Sequence, residues 1–161
     1  MGIRVCTPDD LREVVALTIE VFGPFYENSF RGMVPPRVFE HQHGSWALDY
    51  ARQVPTLLDP ENHRHVVVAE QNRAIVGFIA WHIDLDRRHG EIDMLAVSPA
   101  ERGAGVGTDL CQHALRAMRE ADVAVVELGT GWDDFHRPAR RLYEKLGFSL
   151  VPVAVYLKAL D

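Results

Sequence analysis

The sequence predicts a mixed α/β domain whose central sheet is antiparallel at first and becomes parallel across a strand-helix-strand crossover. Residues 65–70 and 74–85 are rich in branched and aromatic side chains and are joined by QNR, a pattern typical of a hairpin. A third such run, residues 91–97, is separated from the apolar run 123–128 by a stretch with helical periodicity, which requires a parallel return to the sheet. We therefore expect six to seven strands flanked by about four helices.

The N-terminal residues predict a short strand followed by a helix. Residues 3–6 are apolar, and Thr7, Pro8 and Asp10 then form a typical helix start in which Thr7 is the N-cap. Apolar side chains recur at helical spacing beyond this point. Pro24 is expected to end the helix, because proline lacks a backbone N–H.

The C-terminal residues predict another helix and two closing strands. A helix over residues 136–146 is expected to stop at Gly147, since glycine readily adopts the left-handed conformation. Residues 148–151 and 153–157 are expected to form closing strands separated by Pro152. The stretch VPVAVYLKAL is apolar enough either to close the sheet or to pair with a second subunit.

The least regular part of the sequence is residues 22–60. Its aromatic residues and prolines predict one or two irregular helices. The aromatic side chains are consistent with a lid, with the wall of a substrate site or simply with a core. Glu27, Glu40 and Asp49 are interleaved with them, which suits a cationic substrate but is also typical of solvated helix faces.

Length, composition and charge narrow the classes of function. For 161 residues, of which 47% are hydrophobic, we expect one domain over residues 1–161. The formal net charge of −6 argues against a nucleic-acid partner, which would need a basic surface. The sequence contains neither a signal pattern nor an apolar run long enough for a membrane span, so we expect a cytoplasmic protein with no membrane partner. Cys6 and Cys111 are expected to be buried thiols.

Three glycines occupy the turn between the predicted third strand and the helix that follows it. Gly103, Gly105 and Gly107 have no side chains, so backbone amides at this helix start can approach a ligand, and the helix dipole favours an anion. Phosphate is the expected ligand. The stretch RGAGVGTD has neither the Lys-Ser/Thr of a Walker loop nor the glycine spacing of the dinucleotide fingerprint. Taken alone, the turn is equally consistent with a purely structural role.

Two sequence blocks together are more specific. The first, Arg102-x-x-Gly105-x-Gly107 after the strand IDMLAVSP, resembles the pyrophosphate loop and fourth strand of the GNAT superfamily of acyl-CoA-dependent N-acyltransferases. The second, HRPARRLYEKLGF over residues 136–148, resembles a later signature of that family, and the two blocks stand at the family's usual separation. The resemblance covers most of residues 65–157 and does not extend to residues 22–60.

The resemblance implies acetyl-CoA as co-substrate and no metal. Amides of the glycine turn would hold the coenzyme A diphosphate, and the preceding strand, splayed from the next one, would pair with the pantetheine arm and present one amide to the thioester oxygen. The residues implied in coenzyme binding are Leu95, Ala96, Val97, Arg102, Gly103, Ala104, Gly105, Val106, Gly107, Thr108, His136 and Tyr143. The family also favours a homodimer.

One position departs from the family pattern. His136 stands where the family often has Asn, so it either donates a hydrogen bond from a ring nitrogen or only begins a helix. The preceding Trp132, Asp133 and Asp134 either line the acceptor cleft or belong to a surface loop.

Acyl transfer to an amine needs a base, because an alkylammonium with a pKa near 10.4 is mostly protonated at pH 7. Glu91 and Asp93 are two residues apart on one strand, so they are expected to share a sheet face, with Ile92 and Met94 on the other. Either carboxylate could attract a cation and accept its proton, and Glu91 is the slightly preferred base. The alternative is that both only solvate an exposed face.

Tyr143 is the candidate acid that protonates the leaving thiolate, because a phenol with a pKa near 10 remains protonated at neutral pH. The alternative is a core aromatic residue. The pairs His41-x-His43 and His63-x-His65 lack the third and fourth ligands of a zinc site, so no metal is expected.

The residues and the resemblance together predict an acetyl-CoA-dependent N-acetyltransferase that acts on a primary amine of a small molecule by direct attack. Polyamines, amino acids and aminoglycoside-type compounds are the candidate acceptors. The alternatives are a protein or peptide N-acetyltransferase and a non-catalytic acyl-CoA-binding sensor module.

Overall fold

The structure, a computed structural model, describes residues 1–160, and Asp161, the last residue of the predicted domain, lies outside them. Five strands form one sheet in the order β1-β2-β3-β4-β5. The strands are β1 Gly2–Val5, β2 Arg64–Gln71, β3 Ala74–Asp84, β4 His89–Val97 and β5 Val125–Leu128. The first four strands are antiparallel and β5 runs parallel to β4, which confirms the predicted mixed sheet.

Helices cover both faces of this sheet. They are α1 Leu11–Phe25, α2 Pro36–His43, α3 Trp46–Thr56, α4 Val106–Glu120 and α5 Arg137–Lys145. Shorter helical turns occur at Pro8–Asp10, Tyr26–Phe30, Arg31–Met33, Pro60–Asn62 and Pro99–Glu101.

Two apolar cores lie on opposite faces of the sheet. The α1–α3 core packs those two helices against one face, and its buried members include Val14, Leu17, Val54, Leu57, Val68 and Phe78. The α4 core packs α4 and, at its margin, α5 against the other face, and its buried members include Ile79, Trp81, Ile92, Leu110, Cys111 and Met118. Because strand side chains alternate between faces, β3 and β4 contribute to both cores.

The predicted hairpin is confirmed, and its turn explains its register. Asn72 and Arg73 both adopt positive φ angles, of 52° and 66°, between the paired residues Gln71 and Ala74. Two consecutive residues of this kind form the tight turn whose twist matches antiparallel strands. The predicted N-terminal helix start is also present as a short turn ahead of α1.

Over residues 1–160 the sheet has five strands, so the prediction of six to seven is wrong. The two predicted closing strands, residues 148–151 and 153–157, form no strand in the described chain. Their side chains are largely exposed, with 82% of Val153 accessible to solvent. Alternating apolar residues indicate an extended chain, but pairing also requires a partner edge, and residues 1–160 do not bring one to this segment.

Pro24 does not end the first helix, which corrects a second expectation. Helix α1 includes Pro24 and ends at Phe25. The chain then forms the wider π-helical turn Tyr26–Phe30. The ring of Phe25 packs 5.5 Å from that of Phe30 across this turn. The proline removes one backbone hydrogen bond, and this aromatic contact stabilises the turn that follows it.

The start of α1 depends on one carboxylate, and this generates a pH-dependent prediction. Asp10 accepts hydrogen bonds from the Thr7 backbone N–H at 2.8 Å and from the Arg4 guanidinium at 2.7 and 2.8 Å. These Arg4 hydrogen bonds hold the pKa of Asp10 far below its usual range. A lowered folded-state pKa stabilises the fold above the unfolded-state pKa of about 4 and loses that effect as the pH falls further.

We therefore expect Asp10→Asn, which removes the charge that pairs with Arg4, to lower the free energy of unfolding at pH 7 by about 1 kcal/mol, the upper end of the range for an exposed ion pair. The difference from the wild type should shrink progressively below about pH 4. Urea unfolding at pH 7 and pH 3 measures both effects, with Asp9→Asn as the matched control because Asp9 lies in the same exposed turn. A loss for Asp10→Asn that is equal at the two pH values would contradict this explanation.

Candidate functional site

The pairing between strands β4 and β5 ends halfway along β4. Their parallel pairing covers His89 to Ile92 of β4 and stops at the pair Ile92–Leu128. Strand β4 continues to Val97, so residues 93–97 have no strand partner on the β5 side within the described chain, residues 1–160. This notch between the two strands is the predicted splay.

Backbone groups of β4 point into the notch. The Ser98 N–H donates to the Val76 oxygen at 2.8 Å, which makes this opposite pair a hydrogen-bonded one. Because hydrogen-bonded and non-hydrogen-bonded pairs alternate along an antiparallel ladder, the pairs of Val97 with Gly77 and of Leu95 with Ile79 are the non-bonded ones. The N–H and C=O groups of Leu95 and Val97 therefore face away from β3 and into the notch.

The glycine turn lies at the end of β4, directly before α4. Gly103 and Gly105 have φ angles of 84° and 90°, a conformation that favours glycine, and no atom lies within 4 Å of where a Cβ would stand at either position. Helix α4 starts at Val106, so its first backbone N–H groups have no partner within the helix. The turn is thus an exposed set of amides at a positive helix end, suited to an anion.

Helix α5 brings the second sequence block against the first. A Cβ on Gly107 would lie 3.3 Å from the Leu142 side chain and 3.6 Å from that of Val97. The start of α4, the end of β4 and the middle of α5 therefore meet at one point. Tyr143 follows Leu142 on α5, and its ring packs at the margin of the α4 core, 6.0 Å from Phe148.

The environment of Tyr143 keeps its hydroxyl protonated. Burial raises the pKa of Tyr143 well above its ordinary value, and the nearby Cys111 thiol raises it further when that thiol is ionised. Cys111 itself is free and buried, and burial raises its pKa to about 12. With its pKa raised by burial, the phenol of Tyr143 stays protonated at neutral pH.

Glu91 and Asp93 lie on the same side of β4, and a β-bulge at Asp93 rather than regular alternation along the strand places them there. Asp93 has no register partner on β3, so it is an extra residue that forms a β-bulge. Ile92 packs in the α4 core whereas Met94 packs against the α1–α3 core, so the prediction that these two share a face is wrong. The bulge leaves both carboxylates in contact with His82.

A polar cluster formed by Arg64, His82, Glu91 and Asp93, here called the charge row, crosses three strands beside the notch. His82 Nδ1 lies 3.0 Å from Asp93 Oδ1, and His82 Nε2 lies 3.6 Å from Glu91 Oε2. Arg64 donates from Nη2 to Asp93 Oδ1 at 3.2 Å. The Asp93 side chain is only 13% exposed and is held by two partners, whereas the Glu91 side chain is 48% exposed.

Arg64 and His82 are functional candidates that the sequence analysis missed. Arg64 pairs with His82 across β2 and β3, and His82 pairs with Glu91 across β3 and β4. Because the hairpin turn is recognisable in the sequence, the residues of β2 and β3 that lie opposite each other could have been found by counting outward from that turn. The bulge between Ala69 and Glu70 shifts that count by one residue, and its position has no local sequence marker.

The loop before α5 is ordered around His136. Its Nδ1 lies 2.7 Å from Asp133 Oδ2, and the Asp133 side chain is only 8% exposed. Burial acts to raise the pKa of Asp133, but the hydrogen bond and charge of His136 outweigh it and the pKa is lowered. Trp132 is 70% exposed and lies over the Arg140 guanidinium, while Asp134 forms an ion pair with α5.

The aromatic residues of the N-terminal helices form one cluster that reaches this loop. Tyr26 stacks on Trp46 with ring centroids 5.2 Å apart, and Phe25 lies 4.7 Å from the His136 ring. A surface pocket of about 220 Å³ opens in the cluster, lined by Tyr26, Gln42, His43, Trp46, Asp49, Tyr50 and Gln53. Of the three interleaved acids, Asp49 lines this pocket, whereas Glu27 and Glu40 are bound by Arg31.

The glycine turn follows the unpaired end of β4, and Leu142 of α5 lies beside Gly107 in the helix that begins there. The two predicted carboxylates lie on β4 itself, where Glu91 is opposite Glu127 in the part that is paired with β5. The histidine pairs do not assemble into a metal centre, since no three His, Cys, Asp or Glu side chains within residues 1–160 are placed as metal ligands. No helix in that part of the chain is long and apolar enough to cross a membrane.

Comparison with known proteins identifies acetyltransferases that are similar in sequence to this chain. Over 143 residues the chain is 32% identical to the mycothiol acetyltransferase of Thermomonospora curvata, covering 86% of this chain and 46% of that protein. It is 33% identical over 96 residues to the aminoalkylphosphonate N-acetyltransferase of Salmonella typhimurium, covering 57% of this chain and 60% of that protein. The chain thus spans about half the length of the first relative and less than two thirds of the second.

A solved structure shares the fold along nearly the whole chain. The PaiA N-acetyltransferase of Thermoplasma acidophilum, solved in complex with coenzyme A, matches with a TM-score of 0.74 and 18% identity, covering 95% of this chain and 92% of that one. The model of the acetyltransferase (GNAT) family matches residues 27–148, which begins well upstream of the two sequence blocks. The notch, the glycine turn and this match together show that the chain belongs to the GNAT acetyltransferase family.

Proposed function

We propose that this protein is an acetyl-CoA-dependent N-acetyltransferase that acetylates a primary amine of a small molecule by direct attack. The observation that carries the proposal is the notch, where the Leu95 and Val97 backbone groups lack a strand partner beside the amides of the glycine turn. Unsatisfied backbone groups of this kind need a ligand or water as partner. Family membership supports the same activity.

The site fits coenzyme A as a substrate. Free backbone groups along β4 can pair with the amides of an extended arm as an additional strand does, and the open space beside Gly103 and Gly105 admits a diphosphate. We expect the Thr108 hydroxyl and Arg102 to add a donor and a positive charge. The thioester supplies the acetyl group, and the Leu95 N–H is the preorganised donor for its oxygen.

The charge row supplies the base. Glu91 is half exposed, and His82 is its one ion-pair partner among residues 1–160, so Glu91 is the carboxylate that can attract an ammonium and accept its proton. Asp93 is held by Arg64 and His82, and we assign it a positioning role. If His82 donates from Nδ1 to Asp93, its Nε2 is left to accept a proton and pass it toward Glu91.

The acceptor is proposed to be a small cationic amine. The chain's net charge is −6, and the aromatic pocket contains Asp49 beside Trp46 and Tyr50, a combination suited to a cation. The relatives named for mycothiol and aminoalkylphosphonate acetylation support a small-molecule acceptor.

Tyr143→Phe tests the assigned acid. We expect acetyl-CoA to release thiol with one class of amine from a panel of polyamines, amino acids, aminoglycosides, aminoalkylphosphonates and peptides. In Tyr143→Phe, kcat should fall by about 100-fold or more because the leaving thiolate lacks a proton donor. The exposed Tyr156→Phe is the matched control and should leave kcat unchanged.

The panel also separates the alternative functions. Turnover with peptides alone would replace the proposed acceptor by a protein, and tight acetyl-CoA binding without turnover would favour a sensor. Absence of acetyl-CoA binding would overturn the proposed use of the notch.

Glu91→Gln tests the base through its pH profile. We expect kcat/KM at pH 7 to fall by about 100-fold, and the deficit to shrink as the pH rises toward the pKa of the amine, because the amine then loses its proton without help. Glu61→Gln, in an exposed turn, is the control and should follow the wild-type profile. A Glu91→Gln deficit that is the same at every pH would contradict the assignment of a base.

A further inference from the structure

A surface pocket of about 350 Å³, here called the edge pocket, opens where β1 ends. Residues of β1, β2, β3, α4 and the turn before β2 line it, and three of them are the histidines His63, His65 and His113. Strands β2, β3 and β4 lie side by side between this pocket and the notch, and β2 is two strand spacings, about 10 Å, from β4. The edge pocket is therefore separate from the proposed coenzyme site.

One wall of the edge pocket is a stretch of β2 that β1 leaves unpaired. The ladder between β1 and β2 ends at the pair Val5–Val67, and the Cys6 N–H adds one more bond to the Val66 oxygen at 3.0 Å. Because backbone groups alternate between the two neighbours of a strand, Arg64 turns its N–H and C=O to the same side as Val66. Strand β1 supplies no residue opposite Arg64 in the part of the chain that the structure describes, so this N–H faces the opening.

An indole N–H in the lining also lacks a partner. Trp81 is only 3% exposed, and its Nε1 is buried with no hydrogen-bond acceptor among residues 1–160. The His65 ring stacks on the indole with centroids 5.3 Å apart, and the His113 ring meets it edge-on at 6.4 Å. Leaving a buried donor unpaired is costly, so a ligand that brings an acceptor atom to Trp81 gains a hydrogen bond that the protein does not make itself.

The edge pocket offers more hydrogen-bond donors than acceptors. Each of the three imidazoles carries an N–H, and the Trp81 indole and the Arg64 backbone add two more. Asp59 is the only acidic residue of the lining within the described chain, and its Oδ1 already accepts from the Glu61 N–H at 3.0 Å. A ligand that fits this set supplies acceptor oxygens.

We propose that the edge pocket binds a small molecule that combines one carboxylate with an apolar body. The carboxylate accepts hydrogen bonds from the imidazole and indole N–H groups, and the apolar body lies against Val5, Leu58 and the Trp81 ring, which also line the pocket. The proposal does not depend on the acetyl-transfer reaction.

The charges around the pocket favour a carboxylate over a phosphate. Arg64 is the only arginine or lysine in the lining, and its guanidinium donates to Asp93 at 3.2 Å, so it is not available to bind a dianion. The net charge of −6 on the chain also opposes a doubly charged ligand. A single charge shared among N–H donors suits the site better.

The first test uses benzoate as the probe and benzamide as its uncharged counterpart of the same shape. The indole N–H signals of Trp46, Trp81 and Trp132 are followed by NMR and assigned by elimination with Trp46→Phe and Trp132→Phe. We expect benzoate to shift the Trp81 signal saturably, benzamide to have little effect, and the Trp132 signal, from a residue that is 70% exposed on another loop, to stay in place. No saturable shift at Trp81, or an equal response to benzamide, would overturn the proposal.

The second test removes the ring N–H groups and keeps the aromatic rings. The double variant His65→Phe and His113→Phe should weaken benzoate binding by about 10-fold or more, the usual effect of losing a hydrogen bond to a charged group. His41→Phe is the matched control, because His41 is exposed on α2 and does not line the pocket. Unchanged benzoate affinity in the double variant would contradict the assigned donors.

A competition experiment then separates the edge pocket from the notch and from a general anion site. Saturating acetyl-CoA should leave the affinity for benzoate unchanged, and inorganic phosphate should not displace it. Displacement by acetyl-CoA would place benzoate in the notch, and displacement by phosphate would show that the apolar body contributes nothing. Either result would overturn the proposal.

Discussion

The fold is organised around backbone hydrogen bonds that the sheet leaves unmade. Strand β4 is paired with β3 except at the bulged Asp93, but within residues 1–160 its pairing with β5 stops at Ile92, and the Leu95 and Val97 backbone groups face the gap. An unpaired backbone group removed from water is costly, so this gap is stable only where water or a ligand can fill it. The proposed coenzyme site is therefore a consequence of where two strands stop pairing.

The functional interpretation of the glycine turn and of Tyr143 depends on this gap. The glycine turn would be an ordinary connection if β4 remained paired to its end, and Tyr143 would be a core aromatic residue on an amphipathic helix. The proposed reaction relates them, since Gly107 lies between the Leu142 side chain of α5 and the Val97 side chain of β4. The charge row approaches from the same strand, because the bulge at Asp93 turns an extra carboxylate toward His82.

The sequence predicted the features that depend on local pattern. The hairpin, the crossover and the glycine turn each follow from a few adjacent residues whose conformations are restricted. Prediction failed where the outcome depends on distant partners. Neither bulge has a recognisable local sequence pattern, so the register that places Arg64 opposite His82 could not be predicted from the sequence. Similarly, residues 153–157 have the alternation of a strand, but periodicity does not identify the edge that pairs with it.

Amide hydrogen exchange, followed with and without saturating acetyl-CoA, is the most direct test of the gap as a binding site. We expect slower exchange at Leu95 and Val97 and across residues 103–108 when acetyl-CoA is bound. Amides already paired between β2 and β3 should change little, which gives an internal reference. Unchanged exchange at Leu95 and Val97 in the presence of bound acetyl-CoA would contradict the proposed role of the unpaired strand.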